Sequence, residues 1–154
     1  MKKTVLISIH PEHVTNILLG KKIFEYRKVM PKQNVTHLAL YATSPVKKIV
    51  ALTEVINLEV DTPSEIWIKT GHGSGITHEF YNNYFSKSVQ AGYFAIGKVY
   101  ILKDPIELSK LSSCKVPPQS FCYLNDADTK SVMNKDYFES TYCNLTEIRN
   151  LLTS

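Results

Sequence analysis

The sequence predicts an α+β fold, a small twisted β-barrel of five to six strands with helices flanking it. Three observations carry this reading. Five or six β-rich stretches are spread along the chain, short amphipathic helical patterns lie between them, and 154 residues suit one domain with its own core. Hydrophobic content of 44% and charged content of 21% are ordinary for a globular domain. Repeats, low-complexity tracts and linkers are absent from the sequence. Residues 1–154 are therefore read as one domain, with 125–154 as a C-terminal helical extension.

Thr4 to Ile9 alternates and reads as the first strand. Its apolar stretch is too short for a signal peptide and lacks a small-residue cleavage site. His10-Pro11-Glu12 opens a helix with proline suited to its first position, Val14, Ile17 and Leu18 recur at helical spacing, and Gly20 is a natural stop. Ile23 to Lys28 alternates again, Phe24 and Tyr26 on one face and Ile23, Glu25 and Arg27 on the other. Pro31 to Asn34 is a turn, Thr36 to Thr43 a strand, and Ser44-Pro45 a bend. Lys48 to Val60 is one bent strand or two. Thr62-Pro63-Ser64-Glu65 forms a capping box that starts a helix over about 63–70. Gly71 to Gly75 reads as a flexible loop. Thr77 to Phe85 suits a helix pairing Phe80 with Tyr84 and Tyr81 with Phe85. Ala91 to Leu102 is the last clear strand. Pro105 to Leu111 reads as loop, Pro117-Pro118 as the start of a short helix through Phe121, and 125–135 as loop. Leu145 to Leu152 closes the chain as a helix, with Asn144 and Glu147 as cap and return.

Composition excludes several classes. No apolar run approaches the roughly 20 residues of a membrane span. Cys114, Cys122 and Cys143 are odd in number and lack paired spacing, which argues against zinc and against a disulfide framework. Reduced thiols in a cytoplasmic protein are the simplest account. The five histidines have no acidic or cysteine partners at ligand spacing, so neither metal nor cofactor is expected. The net charge of +4 is unevenly spread. Residues 1–50 hold nine Lys/Arg against Glu12 and Glu25, for +7, and the remaining nine Lys/Arg face twelve carboxylates, for −3. A basic half is the footprint of a polyanion-binding face, unless folding mixes the two halves into a neutral surface.

The densest chemistry lies in GKKIFEYRK, residues 20–28. Glu25 and Arg27 share a strand face about 7 Å apart, a separation suited to flanking a ligand rather than to pairing with each other. Arg27 can fork onto phosphate or a base edge, Lys22 offers a mobile point charge, and Glu25 can accept from the amino groups of a base or act as a general base. A polar edge strand that deters aggregation is the alternative reading. Tyr41, Thr43 and Ser44 lie at a strand end, where hydroxyls donate to a ligand and tyrosine stacks on a base, or where all three simply serve the turn. The loop Gly71-His72-Gly73-Ser74-Gly75 reads as a surface loop or a mobile lid. Of Tyr93 and Phe94, whichever points outward is a stacking platform.

These residues resemble the ASCH domain, a branch of the PUA-like barrels, whose signature GxKxxExR is complete here as Gly20, Lys22, Glu25 and Arg27. SIHPEHVTNILLG is similar to the family's strand-then-helix entry, and YATSPVKKIVALTEV to its second block. AGYFAIGKVYILKDPIELSKL is similar to its third block and PPQSFCYL to a tail segment, so the likeness spans most of residues 5–124. The resemblance implies a PUA-like barrel with a cleft lined by the four signature residues; Ser8, Tyr41, Thr43 and Ser44 are expected to complete the pocket. It implies RNA or a nucleotide-like ligand, and with it a regulatory place in RNA metabolism or transcription-coupled processes. Two hydrolase activities occur in the family. One is cleavage of single-stranded RNA, and the other is amide hydrolysis on acylated cytidine by a lysine, a threonine three residues later and a distant glutamate. Here the third residue after Lys22 is Glu25, so that threonine is absent. Were the protein a hydrolase, the resemblance would make Lys22 and Glu25 its catalytic pair.

Overall fold

The computed structural model describes residues 2–139 and 145–153. Its strands are β1 (Lys3–Ile9), β2 (Phe24–Arg27), β3 (Val35–Ala42), β4 (Lys48–Asp61), β5 (Ala91–Ile106), β6 (Phe121–Tyr123) and β7 (Tyr137–Glu139). Its helices are α1 (Pro11–Leu18), α2 (Pro63–Thr70), α3 (His78–Tyr84), α4 (Asp126–Met133) and α5 (Leu145–Thr153). The strands form one mixed sheet in the order β2-β5-β4-β3-β1-β6, with β7 beside the later half of β5. β1 runs parallel to β3 and every other pair is antiparallel. Register shifts along β4 bend it, and the sheet curls into a half-barrel with the helices around it.

Both faces of the sheet are covered, which is why the successive residues Val5, Leu6 and Ile7 of β1 are all buried. Val5, Ile7 and Ile9 join Val14, Ile17 and Leu18 of α1, Leu38 and Leu40 of β3, and Phe94 and Ile96 of β5 in the main core. Leu6, Ala39 and Tyr41 point the other way, into a cluster with Ile49, Leu102, Leu111 and Val132. A third cluster, with Tyr26, Ile66, Tyr81, Phe85 and Tyr93, lies beneath α2 and α3. Thr62 caps α2 by accepting from the Glu65 amide at 3.3 Å, and Thr77 caps α3 by accepting from the Phe80 amide at 3.0 Å.

Three segments depart from the sequence reading. The residues after Pro117-Pro118 form β6 rather than a helix, because Phe121 to Tyr123 pair antiparallel with Ile7 to Val5. Residues 126–133, read as loop, are helical. Asn125 caps them by accepting from the Asp128 amide at 2.8 Å, and their polar composition hid the pattern. β5 runs on to Ile106, paired with Ile49, before a single turn at Leu108–Lys110. Beyond residue 125 the chain is not helical alone. β7 joins the sheet, and Ile148 and Leu152 of α5 are buried in the main core. The expected cap by Asn144 and Glu147 lies outside the described residues and side chains.

Asp128 ties α4 to the loop ahead of β6. Its carboxylate, 5% exposed, accepts from the Ser112 amide at 3.0 Å, the Ser113 amide at 2.7 Å and the Ser113 hydroxyl. Burial pushes its pKa up, but the bonds from Ser113 and Ser112 outweigh burial and hold it below the ordinary carboxylate value. Asp128→Ala is expected to cost about 1–2 kcal/mol in urea unfolding at neutral pH, because the Ser112 and Ser113 amides lose their acceptor. A carboxyl with a lowered folded pKa stabilises fully above its unfolded pKa, and that stability fades as pH falls toward the folded value. The gap between Asp128→Ala and the unsubstituted protein should therefore narrow below about pH 4.

Candidate functional site

The signature segment is set by the end of α1. Gly20 takes a left-handed φ of 76°, and the amides of Lys21 and Lys22 both donate to Asn16 O, at 2.9 and 3.0 Å. The reversed chain enters β2, where Glu25 lies opposite Phe94 and Arg27 opposite Gly92. Phe24 and Tyr26 turn toward the cluster under α2 and α3. Tyr26 donates to Thr70 Oγ1 at 2.8 Å, and burial raises its phenol to about 12 against the opposing effect of that bond.

The charged residues of this strand are not a solvated edge. Lys22 is 3% exposed and Glu25 6%. Lys22 Nζ donates to Ser74 O at 2.7 Å, lies 3.9 Å from Glu25 Oε2 and sits 5.0 Å from the Tyr26 ring centroid. Lys22 is thus a fixed charge, not a mobile one. Burial lowers its pKa, opposed by Glu25 and reinforced by Arg27. Arg27 pairs with Glu25 after all: its side chain curls back to place Nη1 2.9 Å from Glu25 Oε1. Nη1 also donates to Tyr26 O at 3.1 Å, and Nη2 to Ser8 O at 2.8 Å. That last bond joins β2 to the end of β1.

Above this charged floor is a cavity of about 190 Å³. Its walls are Ile9, His10 and His13 from β1 and α1, and Ile76, Phe80 and Tyr84 from α3 and its approach. His13 meets Phe80 edge-on at 5.6 Å and His10 at 6.3 Å, and Lys28 sits over Tyr84 at 4.7 Å. His13 Nδ1, Glu25 Oε2 and Arg27 Nε are buried without a hydrogen-bond partner. They are three of the four such side-chain atoms among the described residues. Burial lowers the His13 pKa first, then the Lys22 cation, while Glu25 and Glu12 raise it.

The glycine loop is neither a lid nor a loose surface turn. Gly71–Gly73 form a helical turn, the Ile23 amide donates to Gly73 O at 2.9 Å, and Ser74 O holds Lys22. Gly75, at φ 68°, lies where a Cβ would come within 2.5 Å of Lys22 Cβ. The loop is therefore packed along the lysine stem.

The structure brings Lys22, Glu25, Arg27 and Ser8 together at the cavity. Ser8 contributes its carbonyl there, because its hydroxyl donates to Pro118 O at 2.9 Å. Gly20 lies behind Lys22 and shapes the turn. Tyr41 is 4% exposed, in the cluster on the opposite sheet face, and stacks on nothing in this cavity. Thr43 and Ser44 serve the bend: the Thr43 amide donates to Ile9 O, Thr43 O accepts from the Val46 amide, and Ser44-Pro45 is cis. Neither Tyr93 nor Phe94 is an outward platform, since both are buried. No group of three or more His, Cys, Asp or Glu that could hold a metal occurs among the described residues. Sequence reasoning missed His13, Phe80 and Tyr84 as cavity walls. The His10, His13 spacing was the one local hint.

A family model described as the ASCH domain matches residues 7–111. The chain is 30% identical over 124 residues to ATP synthase subunit alpha of Ureaplasma parvum, covering 80% of this chain and 15% of that protein. The chain thus spans a small part of that relative's length. It is 27% identical over 140 residues to an ASCH domain-containing ribonuclease of Zymomonas mobilis, covering 86% of this chain and 92% of the relative. The crystal structure of ASCH from Zymomonas mobilis has a TM-score of 0.77 and 26% identity, covering 87% of this chain and 96% of that one.

Two measurements check the site's electrostatics and packing. Followed by NMR, His13 should titrate below the ordinary value of 6.5, and move upward in Lys22→Met, which removes a cation that holds the proton off. Gly75→Ala should cost about 1–3 kcal/mol in urea unfolding, since it combines a strained φ with a clash against Lys22.

Proposed function

The chain belongs to the ASCH domain family, and from that premise we propose that it binds single-stranded RNA or a nucleotide in the cavity floored by Lys22, Glu25 and Arg27. One observation carries the reading. Buried polar atoms are almost always hydrogen-bonded, yet three without a hydrogen bond sit on residues lining the same cavity, Glu25 Oε2 having only its 3.9 Å ion pair with Lys22. On this reading a ligand polar group restores a missing bond at these atoms as the side chains that shield them give way. The room is that of one flat heterocycle, since cavities of roughly 150 Å³ admit benzene. Phe80 and Tyr84 offer a base π-faces, Glu25 an acceptor, and Arg27 a donor. Exposed Lys28, at the rim over Tyr84, suits the adjoining phosphate. Gly20 shapes this site from behind, and Ser8 enters it through its carbonyl. Tyr41, Thr43 and Ser44 have no part in the proposed pocket.

A ribonuclease is the second reading, favoured by the Zymomonas mobilis relative of that name, of which this chain covers 92%. Lys22 and Arg27 would then stabilise charge developing on the phosphate, with Glu25 as base. Acyl-cytidine hydrolysis has less support, because the required threonine position is the buried, Arg27-bonded Glu25. A cytoplasmic setting and a regulatory role in RNA metabolism are part of the same proposal. The free thiols of Cys114 and Cys122 fit a reducing compartment, and no helix among the described residues is long and apolar enough to cross a membrane.

Single-stranded RNA affinity should fall steadily with salt, and Lys28→Ala should reduce the slope of log K against log salt by about one. Arg27→Ala should weaken binding about tenfold or more. Binding that ignores salt, or no binding of RNA or nucleotides, would overturn the reading. RNA fragments produced by the protein and lost in Lys22→Met would establish the ribonuclease.

A further inference from the structure

The signature explains the floor of the cavity but not its histidine-bearing wall. His13 stands on α1, outside the signature, with its ring edge-on to Phe80 and its Nδ1 buried and unpartnered. Every element around it presents charge or a polar ring. Glu12 and His10 come from α1 and its N-cap, Lys22, Glu25 and Arg27 from β2 and the segment before it, and the Tyr84 phenol from α3. Lys22 Nζ is already committed to Ser74 O, and Arg27 Nη1 and Nη2 to Glu25, Tyr26 and Ser8. The floor therefore cannot change its charge cheaply, whereas an imidazole can.

We propose that His13 reads the ligand by taking up a proton as RNA binds, so that an anionic oxygen of the ligand receives a charge-assisted hydrogen bond from Nδ1. This rests on the RNA-binding reading above and names how that same site is tuned. Burial and Lys22 keep the proton off His13. An anionic oxygen entering the cavity reverses that balance, because it attracts the protonated ring and supplies the acceptor that Nδ1 lacks. By linkage, affinity must then rise as pH falls through the imidazole range.

The test is calorimetric titration of the full chain with a short mixed-sequence single-stranded RNA. It uses paired buffers of different ionisation heat, from about pH 8 to about pH 5.5. Binding about tenfold tighter at the acid end, with net proton uptake approaching about one near pH 6.5, is expected. His13→Gln should flatten the profile and abolish the uptake, while His37→Gln, a histidine of β3 outside the cavity, should retain both. In the unsubstituted protein, the His13 ring signals should titrate at higher pH with RNA than without it. A pH response and proton uptake left unchanged by His13→Gln, or a His13 titration that RNA does not move, overturns this inference and leaves RNA binding standing. Absence of RNA binding at every pH overturns both.

Discussion

One buried carboxylate is shared between two cations, and the architecture around the cleft follows from holding that arrangement together. Removing an ion from water costs several kcal/mol even after relaxation, so Lys22, Glu25 and Arg27 persist inside only because each is bonded. Glu25 alone cannot satisfy them. Ser74 supplies the carbonyl for Lys22, and Tyr26 and Ser8 supply carbonyls for Arg27. Two of these come from elsewhere in the chain: the glycine loop must pack along the lysine stem, and β1 must end beside β2. Arg27 thereby stitches a seam of the half-barrel where β1 and β2 share no strand pairing.

The same requirement explains the local backbone. A left-handed Gly20 turns the chain so that Lys22 points inward directly after α1. Gly75 lets a second backbone pass within contact of that lysine's Cβ, where any side chain would displace it. Between them, Ile23 is fixed on both sides, its amide to Gly73 and its carbonyl to the Ile96 amide, each at 2.9 Å. The signature's glycine, lysine, glutamate and arginine are thus one mechanical unit. It extends to a loop some fifty residues away.

What was legible in the sequence divides along this line. The strands, α1, α2, α3 and the charged segment were readable because their signals are local: period two, period 3.6, a capping box, a glycine stop. Glu25 and Arg27 were expected to flank a ligand because strand spacing sets Cα positions and says nothing of a long side chain folding back. Tyr41 was misplaced because β3 is buried on both faces, and alternation cannot say which face borders a cleft. β6 and β7, at three residues each, are too short to show a period. α4 hid because it is pinned by Asp128 hydrogen bonds rather than by an apolar stripe. His13, Phe80 and Tyr84 become cavity walls only when α1 and α3 meet over β2, a tertiary fact with no local signature.

The cavity pairs a fixed charge pattern with a neutral, displaceable one, and these do different work. Two cations and one carboxylate leave one excess positive charge, held in place beside the apolar walls of Ile9, Ile76 and Phe80. There an electrostatic contact is stronger than in water and needs no reordering when a ligand arrives. On the proposed reading, that part of the site selects planar, anionic or amino-bearing groups small enough for one heterocycle. Fixed charges cannot report on conditions, because their protonation is bound up with the fold itself. An imidazole at the rim of the same field can gain or lose its proton without unfolding anything. Its unpartnered nitrogen makes the two states differ in what they bind. On the proposed reading, the cleft separates recognition, carried by the triad, from adjustment, carried by His13 of the neighbouring helix.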